Sequence, residues 1–402
     1  MRQTIRIIAV MLAACMCMAG CASAETDSSL KKAGSDLVIM QATDLHYLSD
    51  TLHDDGAYFT EMMTNGDGKL SEYSEQILDA LVTKAVETHP DAFLLSGDIT
   101  FNGEKQSLLK VKCALEKIKD AGIPVLVIPG NHDIDYPYAF EYSGEEASPV
   151  ANVSQSDFQE TMKEFGYEDA LARDDSSFGY VYPLSQDVWL LAMDANTEKN
   201  PGSISEATMT WMEEQLKQAQ AKNIKVITIS HQNVLKQNEL LYSGYVMDNY
   251  EEVNALLKKY NVTLNLSGHS HLEHVAEEDG LTDACTESLA LYPLQYAAVS
   301  WHDADSTFDY RLQSLGILQD ESYQRFRTLT EKKINKSLKD LDISAEEKQI
   351  MLDFAVKANI KYFTGSTEGL AEMFQEEGWT LWKTYGGQSS WIGYMESIRE
   401  AQ

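Results

Sequence analysis

Seven side chains of the kinds that hold transition metals fall in five short clusters: Thr43-Asp44-Leu45-His46, Ser96-Gly97-Asp98, Gly130-Asn131-His132-Asp133, Ser230-His231 and Gly268-His269-Ser270-His271. Asp44, His46, Asp98, Asn131, His231, His269 and His271 offer carboxylate, imidazole and amide donors, which suit divalent or trivalent Mn, Fe or Zn; no thiolate joins them. One cluster alone says little, because a D-x-H arises by chance and an isolated Ser-His is usually structural. Five in series, holding five of the nine histidines, point to one metal centre assembled from distant parts of the chain.

Such a centre needs a frame that gathers strand ends. Short runs rich in Val, Ile and Leu read as strands at Leu37–Thr43, Ala92–Ser96, Val125–Ile128, Val188–Met193, Lys225–Ser230 and Val262–Leu266, with later strands at Phe178–Tyr182, Tyr296–Trp301 and Phe308–Gln313. Between them Ile77, Leu78, Leu81 and Ala85, and again Leu108, Val111, Leu115 and Ile118, recur at helical spacing. This is an α/β pattern, and the carboxyl ends of strands in such sheets form the crevice where ligands bind. Asp44 and His46, two apart, would share one side of an extended chain, and His269 with His271 likewise. Gly97, Gly130 and Gly268 would let the backbone approach the metals closely. From about Glu321 the pattern turns to charged helical segments, among them Ile350–Tyr362 and Glu368–Glu376.

The ordered set D-x-H, G-D, G-N-H-D, H and G-H-x-H, over residues 37 to about 315, resembles the calcineurin-like metallophosphoesterases. The resemblance implies a four-layer α/β/β/α sandwich of two mixed β-sheets over residues 37–318, with a C-terminal helical region at 319–402. It implies that Asp44, His46 and His271 hold one metal ion, that Asn131, His231 and His269 hold a second, and that Asp98 bridges the two. It also implies that His132 contacts the substrate and protonates the leaving oxygen. Two cations roughly 3.5–4 Å apart can turn a shared water into an attacking hydroxide and neutralise both oxygens of an in-line displacement at phosphorus. Asp133 is expected to orient the His132 loop, a role equally compatible with a plain turn residue. Hydrolysis of a phosphodiester or phosphomonoester is the activity so implied.

Departures from other branches narrow the reading. Protein serine/threonine phosphatases of the family show G-D-x-x-D-R-G, whereas Gly97-Asp98-Ile99-Thr100-Phe101-Asn102-Gly103 lacks the phosphate-gripping Arg. Purple acid phosphatases carry an iron-binding Tyr where this chain has Phe101. The runs D-L-H, G-D-I-T and G-N-H-D look more like the bacterial branch that includes cyclic-nucleotide phosphodiesterases. Two further readings stay open: a phosphatase acting on an envelope polymer or lipid head group, and a binding lipoprotein whose metals are only structural.

The first residues read as an export signal, with basic Arg2 and Arg6, an apolar run from Ile7, and small residues before Cys21. Met18-Ala19-Gly20-Cys21 resembles a bacterial lipobox, as does Leu12-Ala13-Ala14-Cys15. The expectation is a lipoprotein signal over residues 1–20, acylation of Cys21, a flexible tether over 21–36, and an extracytoplasmic protein held to the membrane by its lipid. An ordinary signal peptide cut after Ala22 or Ala24 would give a secreted protein instead. The 32 Lys and Arg face 63 Asp and Glu, for a net charge of −31, and residues 1–20 contain two Arg and no acid, so their loss gives −33. That surface opposes stable nucleic-acid binding and attraction to anionic lipid.

Other residues have blander readings. Cys113 and Cys285 are expected as buried free thiols. His53, His89, His274 and His302 have no place in the motif set. Asn65-Gly66-Asp67-Gly68-Lys69 fails calcium-loop spacing and reads as a surface turn near the rim of the site. Tyr136 and Tyr138 follow the G-N-H-D turn, where they can shape a pocket or simply pack. Trp379, Trp382 and Trp391, with Tyr385, are expected to pack a helical appendage on the sandwich rather than to stack on a ligand.

Overall fold

The computed structural model describes residues 30–197, 201–240 and 242–400. The strands are β1 (Leu37–Ala42), β2 (Ala92–Ser96), β3 (Val125–Ile128), β4 (Phe140–Ser143), β5 (Glu146–Pro149), β6 (Ala172–Arg173), β7 (Tyr180–Pro183), β8 (Val188–Ala192), β9 (Lys225–Ile229), β10 (Leu264–Ser267), β11 (His274–Glu278), β12 (Leu281–Cys285), β13 (Gln295–His302) and β14 (Thr307–Ser314). One sheet has the order β14-β13-β1-β2-β3, with β1, β2 and β3 parallel and β13 and β14 antiparallel additions. A second has the order β11-β12-β10-β9-β8-β7-β6, with β8, β9, β10 and β12 parallel and the outer strands antiparallel. Strands β4 and β5 form a separate hairpin.

The period of two along each strand decides the layering. In β8, Val188, Leu190 and Ala192 enter a core shared with the first sheet. Trp189 and Leu191 point the other way, into a cluster with Met212 and Leu216 of α5 (Glu206–Ala221) and Val253 and Leu257 of α6 (Tyr250–Lys259). On the far side, Ile77 and Leu81 of α2 (Ser74–Thr88) and Leu108 and Leu115 of α3 (Lys105–Asp120) cover the first sheet. Buried Gln41 ties the sheets together, its Nε2 donating to Ser96 Oγ at 2.9 Å and to Ser267 O at 3.0 Å. The expected mixed-sheet sandwich with outer helices is therefore the observed one. Helices α1 (Ala57–Asn65) and α4 (Gln155–Met162) occupy connections.

Residues past 318 form α7 (Gln319–Leu338), α8 (Ala345–Phe363), α9 (Leu370–Met373), α10 (Glu377–Tyr385) and α11 (Ser390–Glu400). They have a core of their own, to which Leu272 is the one buried contributor from the sandwich among the described residues. Trp379 and Trp382, 2% and 0% exposed, lie inside that core rather than against the sheets. The helix expected over Glu368–Glu376 is a single turn, entered through Gly369 at φ 64°.

Other expectations need correcting. Cys113 is exposed, because it falls on the solvent side of α3 between buried Val111 and Ala114; Cys285 is buried, and both are free. The export signal, Cys21 and most of the tether lie outside the described residues. From Lys31 onward the tether is docked: Lys31 Nζ pairs with Asp91 at 2.7 Å and Gly34 N donates to Asp187 at 2.9 Å. No helix among the described residues is long and apolar enough to cross a membrane.

Candidate metal centre

The five clusters meet just past the carboxyl ends of β1, β2, β3, β9 and β10. Donor atoms of Asp44, His46, Asp98 and His271 lie within 4.8 Å of one another, as do those of Asp98, His231 and His269. Asn131 joins the second group, its Oδ1 3.1 Å from His231 Nε2. The route differs from the extended chain expected from sequence. Asp44 and His46 have φ of 51° and 41°, and Asp98, His269 and His271 have 48°, 65° and 56°. The two left-handed residues in D-x-H place both side chains in one group, whereas those in G-H-x-H send His269 and His271 to different groups.

A non-glycine residue held in this region costs of order 1–3 kcal/mol and persists only where its surroundings impose it. Here they do. Asp44 N donates to Gly97 O at 3.0 Å and His46 N to Asp98 O at 2.9 Å, while Asp44 Oδ2 accepts from Thr43 Oγ1 at 2.7 Å and His269 N at 2.9 Å. Glycine is required where loops touch: a Cβ on Gly130 would stand 2.2 Å from Asp98 Oδ1, and one on Gly268 2.1 Å from Thr43 Oγ1.

The donor spacing fits metal ions. Asp44 Oδ1 is buried 3.1 Å from His271 Nε2 without hydrogen-bond geometry, and the Nε2 atoms of His46 and His271 are 3.1 Å apart. Asp98 faces both ways, Oδ1 being 3.3 Å from His231 Nε2 and Oδ2 3.5 Å from His46 Nε2. Donors that share a cation at about 2.0–2.2 Å stand roughly 3 Å from one another. The residues thus suit a metal in each group, with Asp98 common to both.

Electrostatics give the same answer. Burial opposes a charge on His231, yet Asp98 and Asp44 raise its pKa to about 10. Burial also works against the Asp98 carboxylate, but His231 holds it well below the usual range. At His269 burial dominates, with His231 adding to it, and the pKa falls to about 4; burial likewise carries His46 well down. Two buried carboxylates demand positive charge, which a proton on His231 or a cation can supply, and the two compete.

His132 borders both groups. Its backbone N donates to Asp98 Oδ1 at 2.8 Å, and its Nδ1 lies 3.2 Å from Phe101 O and 3.0 Å from Asn102 Oδ1. Those acceptors assign the proton to Nδ1 and leave Nε2 available. Its ring stands edge-on to His46 at 5.0 Å and stacks on Tyr136 at 4.3 Å. Asp133 is fully buried and accepts from the backbone N of Gly130, Ile99 and Thr100 and from the Thr100 hydroxyl, so it clamps the β2 loop to the β3 loop.

Two participants were not singled out from sequence, and a third, Lys69, was read only as part of a surface turn. Asn102 fixes the His132 tautomer. Buried Asp283 on β12 accepts from Val234 N, Leu235 N, Asn265 Nδ2 and Ser267 Oγ, bracing the segments after β9 and around β10; a charge inside an apolar strand was its signal. Lys69 is only 8% exposed, pairs with Asp67 at 2.8 Å and lies 5.8 Å over the Phe101 ring, so the Asn65–Lys69 turn is on the surface through Asp67, as expected, and tucks inward only at its Lys69 end. His53, His89, His274 and His302 lie outside both groups.

Residues 37–273, more than half of the chain, match the calcineurin-like phosphoesterase family, and residues 319–402 match the family described as the C-terminal domain of cyclic nucleotide phosphodiesterase. The chain belongs to the calcineurin-like phosphoesterase family and is a phosphoester hydrolase. No curated protein sequence matches it significantly. Its fold is similar to that of a dimetal phosphatase from Danio rerio, at 13% identity and a TM-score of 0.50 over 69% of this chain and 96% of that one. It is also similar to GAP50, the anchor in the inner membrane complex of Plasmodium (12% identity, TM-score 0.41, 70% and 85% covered), and to a putative 5'-nucleotidase from Staphylococcus aureus (12%, 0.41, 73% and 58%).

Proposed function

We propose that this protein is a dinuclear metal-dependent phosphodiesterase acting on cyclic nucleotides. One observation carries the dinuclear reading: the two Asp98 carboxylate oxygens face histidines of different groups, at 3.3 and 3.5 Å, as a bridging ligand should. Asp44, His46 and His271 hold one ion in this scheme, Asn131, His231 and His269 the other. Bound there, the ions supply an acidified water as nucleophile and neutralise charge at phosphorus. The chain's own part is positioning and proton delivery. His132, its Nδ1–H held by Asn102 and Phe101, would give a proton to the leaving oxygen from Nε2 after taking up a second proton there, the ring returning to its neutral Nδ1–H form. Asp133 keeps the loop bearing His132 and Asn131 against the loop bearing Asp98.

The substrate class is supported by the match of residues 319–402 to the C-terminal domain of cyclic nucleotide phosphodiesterase. Hydrolysis of bis-p-nitrophenyl phosphate and p-nitrophenyl phosphate, compared with a cyclic nucleotide, tests it: diester cleavage is expected, and a clear monoester preference would overturn it. His132→Ala should retain both metals and slow turnover by roughly 10²–10⁴-fold, least for esters with good leaving groups. Metal loss in that variant would make His132 a ligand instead.

Location is part of the same reading: acylation at Cys21 would hold the enzyme on the outer side of the cell membrane. Lipid labelling that survives Cys15→Ala and is lost in Cys21→Ala is the expected result.

A further inference from the structure

A cavity of about 600 Å³ lies where the C-terminal helices meet the sandwich. Its floor includes Ser270 and Leu272, which alternate along the chain with His269 and His271. Tyr245 also lines it, with its ring 5.8 Å from that of His269, and the neighbouring Gly244 O lies 2.8 Å from His269 Nε2. The opposite wall comes from α7, α8 and α11, including Phe326, Tyr362, Trp391 and Tyr394. The cavity therefore begins beside the metal centre and ends on helices that contribute none of the candidate ligands.

We infer that this cavity receives the planar base of a nucleotide substrate, so that the C-terminal helices set substrate choice while the sandwich performs the chemistry. The substrate class rests on the function proposed above, whereas the cavity's preference stands on its own lining. Its size is that of a site for a compact organic ligand and far exceeds the needs of a phosphate. Seven aromatic side chains line it against five aliphatic ones, which suits ring stacking better than an alkyl chain. Polar groups punctuate the walls, as base edges require. Lys333, on an exposed rim, makes no ion pair among the described residues although acids outnumber bases twofold. Trp391 also departs from its expected role: unlike Trp379 and Trp382 it is only partly buried, standing edge-on to Tyr394 at 5.4 Å.

The test compares Trp391→Ala and Trp391→Phe with the parent in the full mature protein loaded with Mn, using 3',5'-cyclic AMP and the base-free diester cyclic glycerophosphate. Trp391→Ala should raise KM for cyclic AMP roughly 10-fold with kcat within about twofold, leave cyclic glycerophosphate unaffected, and be rescued by Trp391→Phe. Equilibrium dialysis of adenosine against metal-free protein gives a readout independent of turnover: the parent and Trp391→Phe should bind it, and Trp391→Ala should not. An unchanged KM for cyclic AMP, equal effects on both diesters, or adenosine binding untouched by Trp391→Ala would overturn the inference while leaving the phosphodiesterase reading intact. Adenosine binding without hydrolysis of either diester would instead sink the proposed function and keep the cavity assignment.

Discussion

The sandwich and the C-terminal helices bury different kinds of side chain. In and beside the strand ends of the sandwich Asp44, His46, Asp98, Asp133 and His231, with Asp283 inside β12, are all 1% exposed or less, several on left-handed backbone. Between residues 319 and 400 the buried polar residues are Ser322, Thr330, Asn359 and Ser397, and the one buried ionisable group among the described residues is the phenol of Tyr362, uncharged at neutral pH. One region stores charge and strain, which serve chemistry at the expense of stability; the other is a conventional apolar core. Substitutions in the two should therefore fail in different ways.

The largest separation is expected from Asp98→Asn. Losing the shared carboxylate removes several kcal/mol of transition-state stabilisation, about 10³-fold or more in kcat/KM, while the metal-free protein still folds, melting several degrees lower for loss of the buried Asp98–His231 pair. A variant as active as the parent would end the metal assignment. The mirror-image case is Trp382→Ala, which empties the centre of the helical core and removes the hydrogen bond that the indole N–H makes to Met351 O at 2.8 Å. It should cost about 3–5 kcal/mol in urea unfolding, with turnover of small diesters retained at low temperature. Equal loss of small-diester turnover would show that the two regions cannot be separated.

A subtler contrast concerns pH. The His231 pKa is raised to about 10, so in chelated protein its stabilising contribution is complete below pH 6.5 and disappears as pH rises through 10. Chelated protein should accordingly melt several degrees lower at pH 10 than at pH 7, and reloading with metal should abolish most of that difference. The smallest effect is at Glu104, fully buried, whose carboxyl is pushed up to about 7 chiefly by burial. Its contribution is complete below about pH 4.5 and lost as pH rises through 7, so Glu104→Gln should gain about 1–3 kcal/mol on the parent between pH 5 and pH 8. A pH-independent difference would mean that the carboxylate is not desolvated as the structure indicates.

The parts of the fold that show in sequence are those where one physical requirement dominates. β2 and β3 are buried on both faces, hence unbroken apolar runs, and their limits match the expected ones. β11, a partly exposed edge strand reading His-Val-Ala-Glu-Glu, carries no such run, and the β4-β5 hairpin is largely exposed. At the site, donor types and order were readable because metals restrict them. The left-handed backbone was not, because Asp and His tolerate it without leaving the signature a glycine would. Neither was the Asn102 bond to His132, which depends on a contact between the β2 and β3 loops. Trp391 could not be told from Trp382 by type or spacing; only the packing of α11 separates a cavity wall from a core.

The central claim is that Asp98 joins two cation sites in one catalytic centre. It is tested most directly by titrating metal-free protein with Mn while following both bound metal and cleavage of bis-p-nitrophenyl phosphate. Activity that rises to saturation at two ions per chain, with Asp98→Asn failing to reach either plateau, is the predicted result. Full activity at one ion, or turnover that persists without metal, would contradict it.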